Sequence, residues 1–225
     1  MAGTVYLGGG GSAADEAQLW RAMLPGKRKV LYWPMALPLE RRATATAWLS
    51  ASLRALGLAA EIETWIELDD RVAMAPLTAD LLFVGGGNTF SLLDQVRRAG
   101  FLDAVASFVA GGGDYYGGSA GAILAGESVA IAETLDANDV GFVDLDGIGL
   151  ITGFVVLPHY VADQSSATRA WAARHRTTVL GTPERSGLVV DDRLVTAAGP
   201  APVWEFTGAG RVIARPPGHQ WRPRT

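Results

Sequence analysis

Short apolar runs, each closed by glycine or proline, alternate along the chain with longer stretches whose apolar residues recur at helical spacing. Thr4–Leu7, Lys29–Trp33, Ala60–Trp65, Leu81–Val84 and Asp114–Gly117 read as strands. Between them, the stretches Glu16–Leu24, Leu39–Leu56, Thr89–Arg98 and Leu102–Ala110 read as helices. Leu39–Leu56 has few breakers, so one long helix is expected there, with Gly57 as its C-cap glycine. Strand, crossover helix, strand predicts a parallel sheet covered by helices on both faces. Phe154–Pro158 is a later apolar strand, Ala167–Arg176 a helix and Thr178–Gly181 a strand. Shorter strands follow at Gly187–Val190, Leu194–Ala197, Val203–Phe206 and Val212–Arg215. These predict antiparallel additions at one sheet edge, within a single domain spanning 1–225. A C-terminal hairpin and tail begin at about 200, and Pro216 to Thr225 reads as a surface extension.

Composition narrows the function classes. The chain is 49% hydrophobic and 19% charged, the balance of a globular protein rather than a disordered one. A net charge of −4 gives no attraction to nucleic acid or anionic lipid, so neither partner is expected. The absence of cysteine excludes disulfides, thiolate metal sites and a cysteine nucleophile. The opening residues lack a basic n-region, and nowhere do 18 apolar residues run together. A soluble cytoplasmic protein is the expectation, and an exposed sheet edge would allow a homodimer.

Candidate chemistry centres on Gly117-Gly118-Ser119-Ala120-Gly121, a G-x-S-x-G sequence between a strand and a helix start. So tight a turn needs small neighbours and lifts the Ser119 hydroxyl to the carboxyl edge of the sheet. Gly85-Gly86-Gly87-Asn88-Thr89 lies at another strand end on that same edge. Its Gly87 N–H, with that of Ala120, could form a two-donor oxyanion hole. A serine of this kind needs a base. Of three histidines, His159 ends the Phe154–Pro158 strand, His175 sits between arginines on a helix, and His219 lies in the tail. By elimination His159 is the base. Glu184, Glu133, Asp136 and Asp139 are all candidates for the acid that orients it.

A nucleotide-binding module is the competing reading. Gly8-Gly9-Gly10-Gly11-Ser12-Ala13 loosely fits G-x-G-x-x-A, but strand two ends in Trp33-Pro34 with no acid for a ribose. Trp20, Trp48 and Trp65 show no stacking periodicity and read as core or interface residues, and Arg41-Arg42 reads as solvated.

Val84-Gly85-Gly86-Gly87-Asn88-Thr89-Phe90, Tyr116-Gly117-Gly118-Ser119-Ala120-Gly121-Ala122 and Pro158-His159-Tyr160 together resemble peptidase family S51, which contains dipeptidase E and cyanophycinase. The likeness runs from the fourth strand to nearly the end of the chain. It implies a flavodoxin-like, three-layer fold related to class I glutamine amidotransferases, and a serine peptidase acting on short peptides through an acyl-enzyme. It also implies Ser119 as nucleophile, His159 as base, and backbone donors at Gly87 and Ala120. Thr182-Pro183-Glu184-Arg185 matches a family turn that carries the acid, which makes Glu184 the choice and Asp136 the reserve. Asn88 would contact the substrate, and no metal or cofactor is implied. Aspartyl dipeptidases carry an arginine about a dozen residues beyond the nucleophile, whereas Glu127–Glu133 holds no basic residue. N-terminal aspartate specificity is therefore not expected from this segment. Arg169, Arg174 and Arg185 are the candidate replacements, and isoaspartyl, cyanophycin-type or non-peptide acyl substrates are the alternatives.

Overall fold

In the computed structural model, residues 2–68 and 78–223 are described. Four strands are buried almost end to end: β1 (Val5–Gly8), β2 (Lys29–Trp33), β4 (Leu81–Val84) and β5 (Asp114–Gly118). Continuous apolar runs of this kind suit strands covered on both faces. β3 (Glu61–Thr64) alternates instead between exposed and half-buried positions, as an edge strand should. The five pair in parallel in the order β3-β2-β4-β5-β1. With β2 counted first, β2 to β5 follow the 2-1-3-4 order of a flavodoxin-like sheet and β1 takes its fifth place.

Alternate side chains sort the core into two layers. Leu31, Trp33, Leu82, Val84 and Tyr115 face α4 (Thr89–Arg98), α5 (Phe101–Ala110) and α6 (Ala120–Leu124). Val30, Tyr32, Leu81, Phe83 and Tyr116 face α1 (Ala17–Met23) and α3 (Ala45–Ala55). The expected long helix over Leu39–Leu56 is two: α2 (Leu39–Arg42) precedes α3. The break lies where Arg42 turns inward. Its guanidinium, on a residue only 7% exposed, donates to the carbonyls of Met35, Leu37 and Ile66 and to Gln95 Oε1. The expectation of a solvated Arg42 is thereby corrected. Local periodicity could not reveal acceptors that include Ile66 and Gln95, 24 and 53 residues further along the chain.

The later strands do not all join one edge. β8 (Gly187–Asp191) and β9 (Leu194–Ala198) extend the main sheet antiparallel beyond β1. β6 (Phe154–Pro158), β7 (Thr178–Thr182), β10 (Val203–Phe206) and β11 (Val212–Arg215) form a second sheet, ordered β11-β10-β7-β6, with α7 (Ser165–His175) between its two parallel strands. The tail is likewise not a surface extension. Gln220–Trp221 pairs as β12 with β9, and Trp221 is buried. An unpaired β9 edge and a large indole both gain from this return. No described helix is long and apolar enough to cross a membrane.

The second sheet is tied to the tail through Arg215. Its Nε donates to Glu205 Oε2 at 2.7 Å, and its guanidinium lies 5.2 Å from the Trp221 ring centroid. Glu205 is 1% exposed, so losing its partner would strand a buried carboxylate. Arg215→Ala is expected to lower stability by about 3 kcal/mol. Chemical denaturation should show much of that loss recovered in the Arg215→Ala/Glu205→Gln double variant.

Candidate active site

The turn between β5 and α6 holds Ser119 at φ +50° and ψ −108°, a conformation that L-residues rarely adopt. The packing around it enforces that geometry. The Tyr115 hydroxyl, fully buried, donates to the Gly121 carbonyl at 2.7 Å and braces the far side of the turn. Beside the serine runs Gly85-Gly86-Gly87 from the end of β4. A methyl on Gly86 would stand 3.1 Å from the Ser119 Cβ, so the two strand ends sit in close contact. Ala120 opens α6 directly after the nucleophile candidate, where backbone N–H groups have no intrahelical partner.

His159 arrives from the second sheet, at the end of β6, also with positive φ (+54°). Its Nε2 lies 2.9 Å from Ser119 Oγ and its Nδ1 lies 3.0 Å from Glu184 Oε1. An ionised carboxylate only accepts hydrogen bonds, so in this pairing Nδ1 carries the hydrogen and Nε2 offers its lone pair to the serine hydroxyl. Glu184 stands in the turn after β7, closed by the Ser186 amide donating to the Pro183 carbonyl. Its side chain is 59% exposed, so the pair with His159 is solvent-facing rather than a buried ion pair.

Sequence reasoning missed what lies beneath the imidazole. Local pattern marks the Gly8–Gly11 run only as a loose match to a nucleotide loop, yet it forms the floor of this site. The His159 amide donates to the Gly9 carbonyl, and the Gly9 amide donates to the Ser186 carbonyl. Gly10, at φ +93°, lies so close under the ring that a Cβ there would be 2.4 Å from two ring atoms. The loop is anchored by Glu16, which is 2% exposed. Its carboxylate accepts from the Gly10 amide (2.8 Å), the Tyr116 hydroxyl (2.6 Å) and the Trp20 indole (3.2 Å). Burial pushes the Glu16 pKa up, and these donors pull it back. The missed signal was position. A glycine run ending the first strand of a parallel sheet emerges at the same edge as the elbow.

Two other residues named from the sequence are occupied elsewhere. Asp136 accepts from the Thr89 amide at the start of α4 (2.9 Å). Asn88 caps that helix, accepting from the Ser91 amide (2.9 Å) while donating to the Ala137 carbonyl (3.0 Å). Together they pin the segment around residues 136–137 to α4. The structure thus brings Ser119, His159 and Glu184 together and holds Asp136 at a helix terminus.

Ser119 opens on a cavity of about 340 Å³. Its walls include Tyr32, Trp48, Phe83 and Gly86. The basic residue that lines it is Arg41, and Arg169, Arg174 and Arg185 are not among its lining residues. At the cavity edge, burial pushes the Tyr32 hydroxyl pKa up to about 12.

Known proteins resemble this chain in sequence and in fold. The profile of peptidase family S51 matches residues 5–197. Peptidase E of Salmonella typhi is 30% identical over 191 residues, covering 71% of this chain and 81% of the relative. Peptidase E of Escherichia coli is 29% identical over 210 residues, covering 88% of each. Among solved structures, a putative peptidase E protein from Listeria monocytogenes superposes with a TM-score of 0.70 at 23% identity, covering 88% of this chain and 99% of that one. A peptidase from an acI-B1 actinobacterium gives 0.73 at 20% identity, covering 99% and 97%. At these identities, the two structures speak to the fold.

Gly10→Ala places a methyl into the His159 ring and is expected to slow fluorophosphonate labelling of Ser119 by about 100-fold, the scale of a misplaced catalytic group. Intact-mass spectrometry over time measures the rate, and an unchanged far-ultraviolet circular dichroism spectrum would exclude unfolding as the cause.

Proposed function

Because the chain belongs to peptidase family S51, we propose that it is a serine peptidase of the dipeptidase E type whose triad is Ser119, His159 and Glu184. The observation that carries this reading is the unbroken hydrogen-bonded line from the Ser119 hydroxyl through the imidazole to the Glu184 carboxylate, at 2.9 and 3.0 Å.

In the reaction, Ser119 Oγ attacks the carbonyl carbon of the scissile bond while its proton passes to His159 Nε2. The oxyanion forms beside the strand ends, with the Gly87 and Ala120 amides as its donors. The C–N bond then breaks, and Nε2 returns the proton to the leaving amine. Water attacks the acyl ester next, its proton going to the same nitrogen. Collapse frees the acid and restores the serine hydroxyl. Glu184 keeps Nδ1 protonated throughout and offsets the charge on the imidazolium. Small peptides suit a cavity at the lower end of the volumes seen for small-molecule sites. Asn88 supports the substrate side indirectly, by fixing the start of α4 next to Gly87.

Steady-state assays on a dipeptide panel provide the test. Ser119→Ala should reduce kcat by at least about 10⁴-fold, and Glu184→Gln by about 10²-fold. Asp136→Asn should leave turnover within a few-fold and lower stability by about 1 kcal/mol, as loss of a helix-terminal acceptor does. Undiminished turnover in Ser119→Ala would refute the mechanism, and a larger loss in Asp136→Asn than in Glu184→Gln would move the acid to Asp136.

A further inference from the structure

The cavity beyond Ser119 has a chemistry that the triad does not use. It lies outside the carboxyl ends of β2 and β4, flanked by Tyr32, Phe83 and Gly85. The sheet order reverses between these two strands, since β2 continues to β3 on one side and has β4 on the other. Open α/β sheets bind ligands at this kind of switch point. Five aromatic residues, Trp20, Tyr32, Trp48, Phe83 and Tyr116, contribute to the wall. Tyr32, Phe83 and Tyr116 rise from the sheet, and Trp48 on α3 is half exposed, its ring centroid 6.3 Å from that of Tyr32.

The charges lining this space are asymmetric. Arg41 is exposed at the rim, and its guanidinium has no hydrogen bond or ion pair among the described residues. Its neighbour Arg42, by contrast, is spent on four acceptors inside the protein. The carboxylate in the lining, Glu16, is buried and engaged by Gly10, Trp20 and Tyr116, so it presents no free anion to an ammonium. A ligand matched to such a space carries a large apolar group and a negative charge together.

We propose that this cavity is the subsite for the residue released by cleavage: a carboxyl-terminal amino acid with an aromatic or large aliphatic side chain, whose free α-carboxylate pairs with Arg41. The assignment to the leaving side rests on the triad reading. Hydrolysis at Ser119 always leaves the substrate's carboxyl terminus on the amine fragment. A guanidinium near the nucleophile then selects peptides with a single residue beyond the scissile bond, and the fork geometry of Arg suits a carboxylate in a way an ammonium does not. The indole of Trp48 and the ring of Tyr32 would contact the side chain.

The test compares dipeptides ending in phenylalanine with the same dipeptides as C-terminal amides. For the wild-type protein, kcat/KM on the free acid should exceed that on the amide by about 10- to 100-fold, the worth of a charge-assisted contact. In Arg41→Met the acid-to-amide ratio should fall to near one, and in Arg41→Lys it should be intermediate. Trp48→Ala should narrow the preference for phenylalanine over alanine as the leaving residue. An unchanged ratio in Arg41→Met, or an equal loss on acid and amide, would overturn the assignment. The second result would mean that Arg41 reads some other part of the substrate, such as an acidic side chain on the acyl fragment. Tryptophan-fluorescence titration with N-acetylphenylalanine and its amide separates this idea from the triad reading. If no peptide is cleaved, the triad reading fails. Saturable binding of the acid alone, abolished in Arg41→Met, would still support the subsite, and no discrimination between acid and amide would reject it.

Discussion

The imidazole of His159 is held from several directions at once, and most of the unusual local structure in this protein serves that hold. Its amide is fixed to the Gly9 carbonyl, its ring rests on Gly10, and its two nitrogens face Ser119 and Glu184. Both Ser119 and His159 sit at positive φ, a cost of order 1–3 kcal/mol each that persists only where surroundings over-determine the conformation. Those surroundings are the buried Tyr115–Gly121 bond on one side and the Glu16-anchored glycine loop on the other.

The two halves of the site belong to different sheets. Ser119 comes from the middle of the eight-stranded main sheet, while His159 and Glu184 follow adjacent parallel strands of the smaller one. Alignment across that junction depends on β1, which places the Gly8–Gly11 run between them. The run bonds to both partners, to His159 through the Gly9 carbonyl and to Ser186, just past Glu184, through the Gly9 amide. Glu16 secures the same run to Tyr116 on β5, the strand that carries Ser119. One buried carboxylate therefore links the strand before Ser119 to the floor beneath the His159 ring. Burying it disfavours its charged form, and three donors recover part of that penalty.

The same edge also carries the cavity. Gly86 stands close to Ser119 on one side and, with Gly85, lines the cavity on the other, so the cavity and the Ser119 turn share a backbone. Arg41 and Arg42 show how strongly tertiary context separates adjacent residues of one type. One guanidinium satisfies carbonyls in the interior at the end of a short helix, and the other is left at the rim of the cavity.

What the sequence determined by itself were the features written in local pattern: the parallel strands from alternating apolar runs and helices, the tight turn from small residues around Ser119, and the placing of His159 at the end of a buried strand. The family likeness singled out Glu184, which local pattern could not separate from Asp136. What only the tertiary structure decided were relations between distant segments. These are the division of the late strands into two sheets, the return of Trp221 to β9, the inward turn of Arg42, and the use of Gly8–Gly11 as a seat for His159. The physical reason is that periodicity and turn chemistry encode which face of an element is buried and where it stops. Which carbonyl, ring or edge completes it depends on groups tens of residues away, brought near by the packing of the whole chain.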